Sequence, residues 1–90
     1  FGTDTGPAGR FQGYFEHMEM ALMADAGLVP EQILRSATRD AANCLGLEDE
    51  IGTLLPCRWA DFLVVRDDPL IDIDNLRSME SVWIAGEPLR

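Results

Sequence analysis

A change in hydrophobic periodicity near residue 50 is the sequence feature that most constrains the fold. Before it, apolar residues recur at steps of three and four, which is the spacing of one face of a helix. After it, short runs of β-branched and aromatic residues are typical of strands. The chain is therefore predicted to be α+β, with two helices in residues 1–50, three strands in residues 51–90 and a boundary near residues 48–52.

The two predicted helices have recognisable ends. Proline is favoured in the first turn of a helix, so one continuous second helix is predicted to begin at Pro30. Gly27 and Gly46 stand where a left-handed residue would end the first and the second helix. The apolar faces are Phe11, Phe15, Met18, Leu22 and Ala26 in the first helix, and Ile33, Leu34, Ala37, Ala41, Cys44 and Leu45 in the second.

The strands are predicted at residues 53–55, 62–66 and 81–85, with an irregular segment at 70–78 that holds one short helical turn. Residues 86–88 are predicted to turn the last strand. Three short strands leave their edges and faces uncovered, and each helix carries an apolar face that needs a neighbour. Both halves of the chain are therefore expected to belong to a larger structure.

Charge and composition exclude several classes of function. The net charge of the 90 residues is −9, and all seven cations are arginine. Such a chain repels phosphate groups, so neither nucleic acid nor an anionic membrane is expected as a partner. Two cysteines are too few for a disulfide framework, and free thiols favour a cytoplasmic location. A single disulfide between the two cysteines is the alternative. Because Phe1 is not an initiator methionine, the chain is expected to be cut from a longer one.

Asp4 is the candidate catalytic residue. It lies in the segment Gly2-Thr3-Asp4-Thr5-Gly6, directly after a predicted strand stub at residues 1–3. An aspartate at a strand exit is positioned by the strand and faces the open end of a barrel, where active sites gather. Taken alone, an aspartate among glycines more often caps its own backbone. The pentapeptide by itself therefore leaves both interpretations open.

A series of further motifs follows Asp4 in a fixed order. The segments are Ala26-Gly27-Leu28-Val29-Pro30, Ala37-Thr38-Arg39-Asp40-Ala41-Ala42, Ile51-Gly52-Thr53-Leu54, Ala60-Asp61-Phe62-Leu63-Val64-Val65, Asp68-Pro69-Leu70 and Val82-Trp83-Ile84-Ala85-Gly86. Together they resemble the C-terminal third or quarter of the amidohydrolase superfamily, nearest its imidazolonepropionase-like and prolidase-like branch. The resemblance covers nearly all of the chain, and several separated motifs in the right order rarely arise by chance.

This resemblance implies a fold and a chemistry. Such enzymes are distorted (β/α)₈ barrels with a small β-sandwich built from both chain ends, so residues 1–50 would hold the terminal barrel unit and residues 51–90 the sandwich strands. A divalent metal, often zinc, sits at the barrel mouth. Asp4 matches the aspartate that ends the eighth strand, which binds the metal or the hydrolytic water and carries its proton to the leaving nitrogen. The implied reaction is hydrolysis of a C–N bond in an amide, a cyclic amide or a dipeptide.

The resemblance also limits what this chain does alone. The metal-binding histidines of the family lie upstream, and a catalytic zinc site needs about three protein ligands. We therefore expect the isolated chain to be inactive, to bind no metal tightly and to need the upstream barrel portion as its partner. His17 is a candidate substrate contact, with a surface histidine as the alternative, and Glu19 is assigned a structural or solvated role.

Cys57 departs from the family pattern. It stands with Arg58 where the pattern has glycine and lysine in a tight turn, so that turn is expected to change type or to carry strain. Trp59 replaces a smaller residue and is predicted to lie in the sandwich core, with packing against a partner as the alternative.

A second hypothesis comes from a different class of protein. The missing metal ligands and the uncovered helix faces also fit a standalone α+β interaction module without catalysis. Two copies of such a module would form a dimer through the same apolar surface, and a homo-oligomer is possible for the enzyme as well. The DNA upstream separates the two, because an HxH pair followed by spaced histidines indicates the enzyme.

Overall fold

The computed structural model describes residue 1 and residues 14–89, and within this part of the chain the three α-helices precede the strands. This is the α+β order that the periodicity predicted. The elements are α1 (Tyr14–Asp25), α2 (Pro30–Ala37), α3 (Arg39–Cys44), β1 (Phe62–Val65), a 3₁₀ helix (Ile73–Ser78), β2 (Met79–Ile84) and β3 (Glu87–Pro88). No helix among residues 14–89 is long and apolar enough to cross a membrane.

The predicted second helix is interrupted at Thr38, so the prediction of one continuous helix was wrong. Thr38 has φ −121° and ψ −85°, outside the helical region. Its hydroxyl donates to the carbonyl oxygen of Leu34 at 2.7 Å, which is the position of a helical backbone acceptor. The Thr38 carbonyl then accepts from Ala42 N at 3.0 Å and starts the next helix. A threonine that bonds back to the preceding turn thus separates α2 from α3.

Both glycines predicted to end helices do so. Gly27 has φ 103° and Gly46 has φ 73°, which L-residues with a Cβ rarely adopt. After α1, Gly27 N donates to the Ala24 carbonyl and Leu28 N to the Met23 carbonyl, at 3.0 and 3.1 Å. The same pair of bonds follows α3, so each helix ends in a Schellman motif.

The sheet is antiparallel with the order β1-β2-β3. Phe62 lies opposite Trp83, and their rings stack with centroids 5.5 Å apart. A bulge makes Val65 pair with Met79 instead of Glu80. Because side chains alternate between the two faces of a strand, the bulge keeps Val65 and Met79 half-buried and leaves the Glu80 carboxylate exposed.

The strand predicted at residues 53–55 is absent from the described residues, and residues 51–53 form a bend instead. Arg58 Nη1 donates to the Asp49 carbonyl at 2.7 Å, and Trp59 N donates to the Glu50 carbonyl at 2.9 Å. These bonds close residues 49–59 into a loop. Residues 53–55 lie within that loop, so they pair with no strand although their β-branched and apolar composition is typical of one. The predicted turn at Glu87–Pro88 is instead the short strand β3.

The core lies between α1, α2, β1 and the 3₁₀ helix. Ile33 is completely buried, and Ile73 and Leu76 are nearly so. Partly buried side chains from α1, α2 and β1 pack against these three: Met20, Met23, Ala24, Leu34 and Val65. Many large apolar side chains remain exposed, and Trp59, predicted to be in a core, is 58% exposed. The described residues therefore bury one small core and leave extended apolar faces open.

Candidate functional site

Asp4, the predicted catalytic residue, lies outside the described residues. The described structure begins again at Tyr14, so α1 is the first described element after the Asp4 segment. Met20, Met23 and Ala24 of α1 pack against the buried core, which fixes one face of the helix. The position of α1 is therefore set by its packing against α2 and the 3₁₀ helix.

His17 and Glu19 lie in the middle of α1 and are both half-buried. Residues of an α-helix follow one another at about 100° around its axis, so two residues apart differ in direction by about 160°. The side chains of His17 and Glu19 therefore leave the helix on nearly opposite sides. They cannot converge on one substrate atom, and His17 remains a candidate substrate contact without Glu19 as its partner.

Glu19 has an unusual environment for a helical glutamate. Its Oε2 atom is buried and accepts no hydrogen bond within the part of the chain that the structure describes. One of the two roles predicted for Glu19 was a solvated side chain, and the burial of Oε2 does not agree with that role. Burial at this site depends on how α1 packs, and the helical periodicity alone contains no signal for it.

An open groove of about 460 Å³ lies between α2, the loop after α3 and the sheet. Its walls are mostly apolar, with Asp61 as the charged lining residue, and α1 does not contribute to it. The lining residues are Leu34, Thr38, Gly52, Thr53, Leu54, Asp61, Phe62, Leu63, Val65, Pro69 and Leu76. A single carboxylate among apolar groups provides no acid–base pair, so the groove has the character of a packing surface.

The Asp61 side chain stabilises the hairpin between β2 and β3. Its Oδ1 accepts a hydrogen bond from Ala85 N at 2.8 Å, and Gly86 N donates to the Ala60 carbonyl at 3.0 Å. Ala85 and Gly86 have φ 52° and 79°, as in the tight two-residue turn that suits a hairpin. The Ala60-Asp61-Phe62 motif therefore holds the hairpin in place.

Cys57 occupies the strained turn that its departure from the family pattern predicted. It has φ 67° and follows Pro56, and Arg58 N donates to the Leu55 carbonyl at 3.3 Å. Proline second and positive φ third make this a type II turn, in which glycine is the favoured third residue. The cysteine thus keeps the backbone conformation of a glycine turn. Both Cys44 and Cys57 are free and exposed.

Metal binding needs several donor side chains in one place. Among residues 1 and 14–89, no group of three or more histidine, cysteine, aspartate or glutamate side chains is arranged to hold an ion. The described residues therefore do not fit a catalytic metal by themselves.

The model of the amidohydrolase family matches residues 1–89, nearly the whole chain. The chain belongs to the amidohydrolase family. It is 28% identical over 74 residues to the adenine deaminase of Moorella thermoacetica (strain ATCC 39073 / JCM 9320), which covers 82% of this chain and 12% of the deaminase. Over 38 residues it is 47% identical to the imidazolonepropionase of Hahella chejuensis (strain KCTC 2396), covering 42% and 9%.

The solved structures give the same family for this amidohydrolase chain. A Xaa-Pro dipeptidase with bound methionine in its active site superposes with a TM-score of 0.79 at 27% identity, covering 82% of this chain and 18% of the dipeptidase. The resemblance to the imidazolonepropionase-like and prolidase-like branch is thereby confirmed. The chain spans less than one fifth of the length of each of these relatives, 12%, 9% and 18%.

Proposed function

We propose that this chain is the C-terminal portion of a metal-dependent amidohydrolase that hydrolyses C–N bonds in amides, cyclic amides or dipeptides. The observation that carries the proposal is the family match over residues 1–89, which includes the Asp4 segment and every later motif in order. The relatives are named for a deaminase, an imidazolonepropionase and a dipeptidase, so the shared part of the chain does not select one substrate.

In this proposal residues 1–50 are the last unit of a (β/α)₈ barrel, and residues 51–90 are the returning strands of a small β-sandwich. Two features support the division. The Schellman motif at Gly46 ends α3 just before residue 50, and all three strands follow it. β1 is an edge strand of the described sheet, so its free backbone edge can pair with a further strand of a larger sheet, and its exposed Leu63 and Val64 side chains leave both faces open for packing.

Asp4 is proposed to move the proton of the reaction. A divalent metal, which the family resemblance implies and which we propose to be zinc, would supply Lewis-acid polarisation when bound. The Asp4 carboxylate accepts the proton of the attacking water and delivers it to the nitrogen that leaves, so that the nitrogen departs as a neutral amine. Most of the metal ligands are proposed to lie upstream, because the family resemblance places the metal-binding histidines before this segment.

Replacing Asp4 by asparagine in the complete gene product tests this role. Loss of the proton carrier is expected to lower kcat by about 10² to 10⁴, measured on a panel of small cyclic amides, ureas and dipeptides. Asp25→Asn is the matched control, because Asp25 is an exposed aspartate at the end of α1. Near-wild-type turnover of Asp4→Asn, with the control also active, would refute the proposed role.

Metal analysis tests the division of the site between this chain and the upstream part. The complete gene product is expected to carry stoichiometric zinc or another divalent ion, whereas the 90-residue chain is expected to carry none after dialysis. Stoichiometric metal held tightly by the 90-residue chain would contradict the proposal. Reading the upstream DNA for an HxH pair separates the enzyme from a non-catalytic module, and light scattering of either species shows whether it forms homo-oligomers.

A further inference from the structure

The segment Asp68-Pro69-Leu70 is a motif that the proposed chemistry leaves unused. It lies between β1 and the 3₁₀ helix, and hydrogen bonds join this part of the chain to that helix. Asn75 Nδ2 donates to the Asp68 carbonyl at 2.8 Å, and Asp67 N donates to Ser78 Oγ at 2.9 Å. These bonds fix both the middle and the end of the 3₁₀ helix to the residues that follow β1.

The apolar side chains of the 3₁₀ helix belong to the core against which α1 packs. Ile73 and Leu76 are buried, and together with Ile33 they form the centre of that core. Methionine and alanine side chains in the second half of α1 pack against it. Of the described elements, α1 has its most extensive contact with the 3₁₀ helix, ahead of α2. The 3₁₀ helix is therefore the main described support of α1.

We propose that Ile73 is a positioning residue for Asp4, acting through the packing of the 3₁₀ helix against α1. The inference rests on the proposed function, in which Asp4 carries the proton. α1 is the first described element after the Asp4 segment, so a shift of α1 moves the end of the chain segment that holds the carboxylate. A catalytic group displaced by about 1 Å can lose about 10² in rate, even when the cause lies far from the reacting atoms.

Ile73→Ala in the complete gene product tests the positioning role. The variant is expected to lower kcat by about 10- to 100-fold and to leave KM near the wild-type value, because a misplaced proton carrier affects the transition state and not substrate binding. Both constants are measured on the panel of cyclic amides, ureas and dipeptides, at a temperature at which the variant is folded. A wild-type kcat for folded Ile73→Ala would overturn the proposal.

Gly52→Ala is the matched control for destabilisation alone. The added Cβ would meet Ala42 and Thr38, at the junction of α2 and α3, and it meets no atom of α1. The control is therefore expected to unfold at a lower urea concentration than the wild type, as Ile73→Ala does, while its kcat stays near the wild-type value. An equal loss of kcat in the two variants would overturn the positioning role, because loss of stability would then account for both.

Combining Ile73→Ala with Asp4→Asn shows whether Ile73 acts through Asp4. If it does, the residual kcat of Asp4→Asn falls no further, because the group that Ile73 positions is already lost. A further loss by the same factor would show that the two residues act independently and would overturn the proposal. Failure of the proposed function has a different signature, since Asp4→Asn alone would then keep near-wild-type turnover.

A milder variant decides the question if Ile73→Ala does not fold. Ile73→Val removes one carbon atom from the buried side chain and is expected to lower kcat by about two- to tenfold, which is the packing loss of such a change expressed as a rate. The same change is expected to leave the residual kcat of Asp4→Asn unaltered. A wild-type kcat for Ile73→Val, or an equal loss in the Asp4→Asn background, would then overturn the proposal.

Discussion

Among the glycines that the structure describes, Gly52 is the one at which an added methyl group should be most destabilising. Gly52 has φ 93°, and a Cβ there would lie 2.7 Å from Ala42 Cβ and 2.9 Å from the Thr38 carbonyl oxygen. Adding the methyl group costs about 1–2 kcal/mol for the left-handed backbone. Overpacking adds about 1–3 kcal/mol, because a backbone carbonyl cannot move aside as a side-chain end does. Gly52→Ala should therefore reduce the free energy of unfolding by about 2–5 kcal/mol.

Gly46→Ala separates the two contributions. Gly46 has φ 73°, but a Cβ at that position meets nothing within 4 Å. Its alanine variant should lose only the conformational part, about 1–2 kcal/mol. Urea unfolding of both variants in the complete gene product measures the difference, and fluorescence of the tryptophans reports the transition. Equal losses for the two variants would refute the conclusion that the loop after α3 packs tightly against the junction of α2 and α3.

Three further substitutions test other parts of the structure by the same unfolding measurement. Ile33→Ala removes a completely buried side chain and should cost about 2–5 kcal/mol, and a loss below 1 kcal/mol would show that the core is not formed around it. Cys57→Gly relieves a backbone at φ 67° and should stabilise by about 1 kcal/mol, whereas Cys57→Ala keeps the strain and should change little. Asp61→Ala removes the acceptor of Ala85 N and should lower the free energy of unfolding by about 1 kcal/mol. The Ala85 amide should also lose its hydrogen-exchange protection, and retained protection would contradict the contact.

The features that sequence predicted correctly are those fixed by local chemistry. Gly27 and Gly46 end their helices because only glycine takes the left-handed conformation without cost. Pro30 begins α2 because the first turn has no use for its missing N–H. The β-type residues 62–65 form a strand because their partner, β2, lies within the same chain. Each glycine or proline acts on the backbone of the helix end where it stands. The strand at residues 62–65 forms because both strands of the pair, β1 and β2, are present in this chain.

The incorrect predictions depend on side-chain hydrogen bonds to the backbone, which hydrophobic periodicity and composition do not report. The break at Thr38 leaves the apolar periodicity of residues 30–45 intact, so the pattern cannot report it. The strand predicted at 53–55 reflects composition alone, and Arg58 instead closes that segment into a loop through Asp49. The site shows the same division. The Asp4 assignment comes from motif order and stays a prediction, whereas the burial of Glu19 follows from the packing of α1, which periodicity does not specify.

Two turns show that the surrounding structure, and not the turn residue, sets the backbone. Cys57 and Ala85 both have positive φ although each carries a Cβ, at a cost of about 1–2 kcal/mol apiece. Each is enclosed by hydrogen bonds from outside the turn, since Arg58 Nη1 binds the Asp49 carbonyl and Asp61 Oδ1 binds Ala85 N. These bonds, together with the rest of the fold, must outweigh that strain. Removing the Asp61 carboxylate should therefore release the β2–β3 turn, whereas adding glycine at Cys57 should leave its turn unchanged in shape and only less strained.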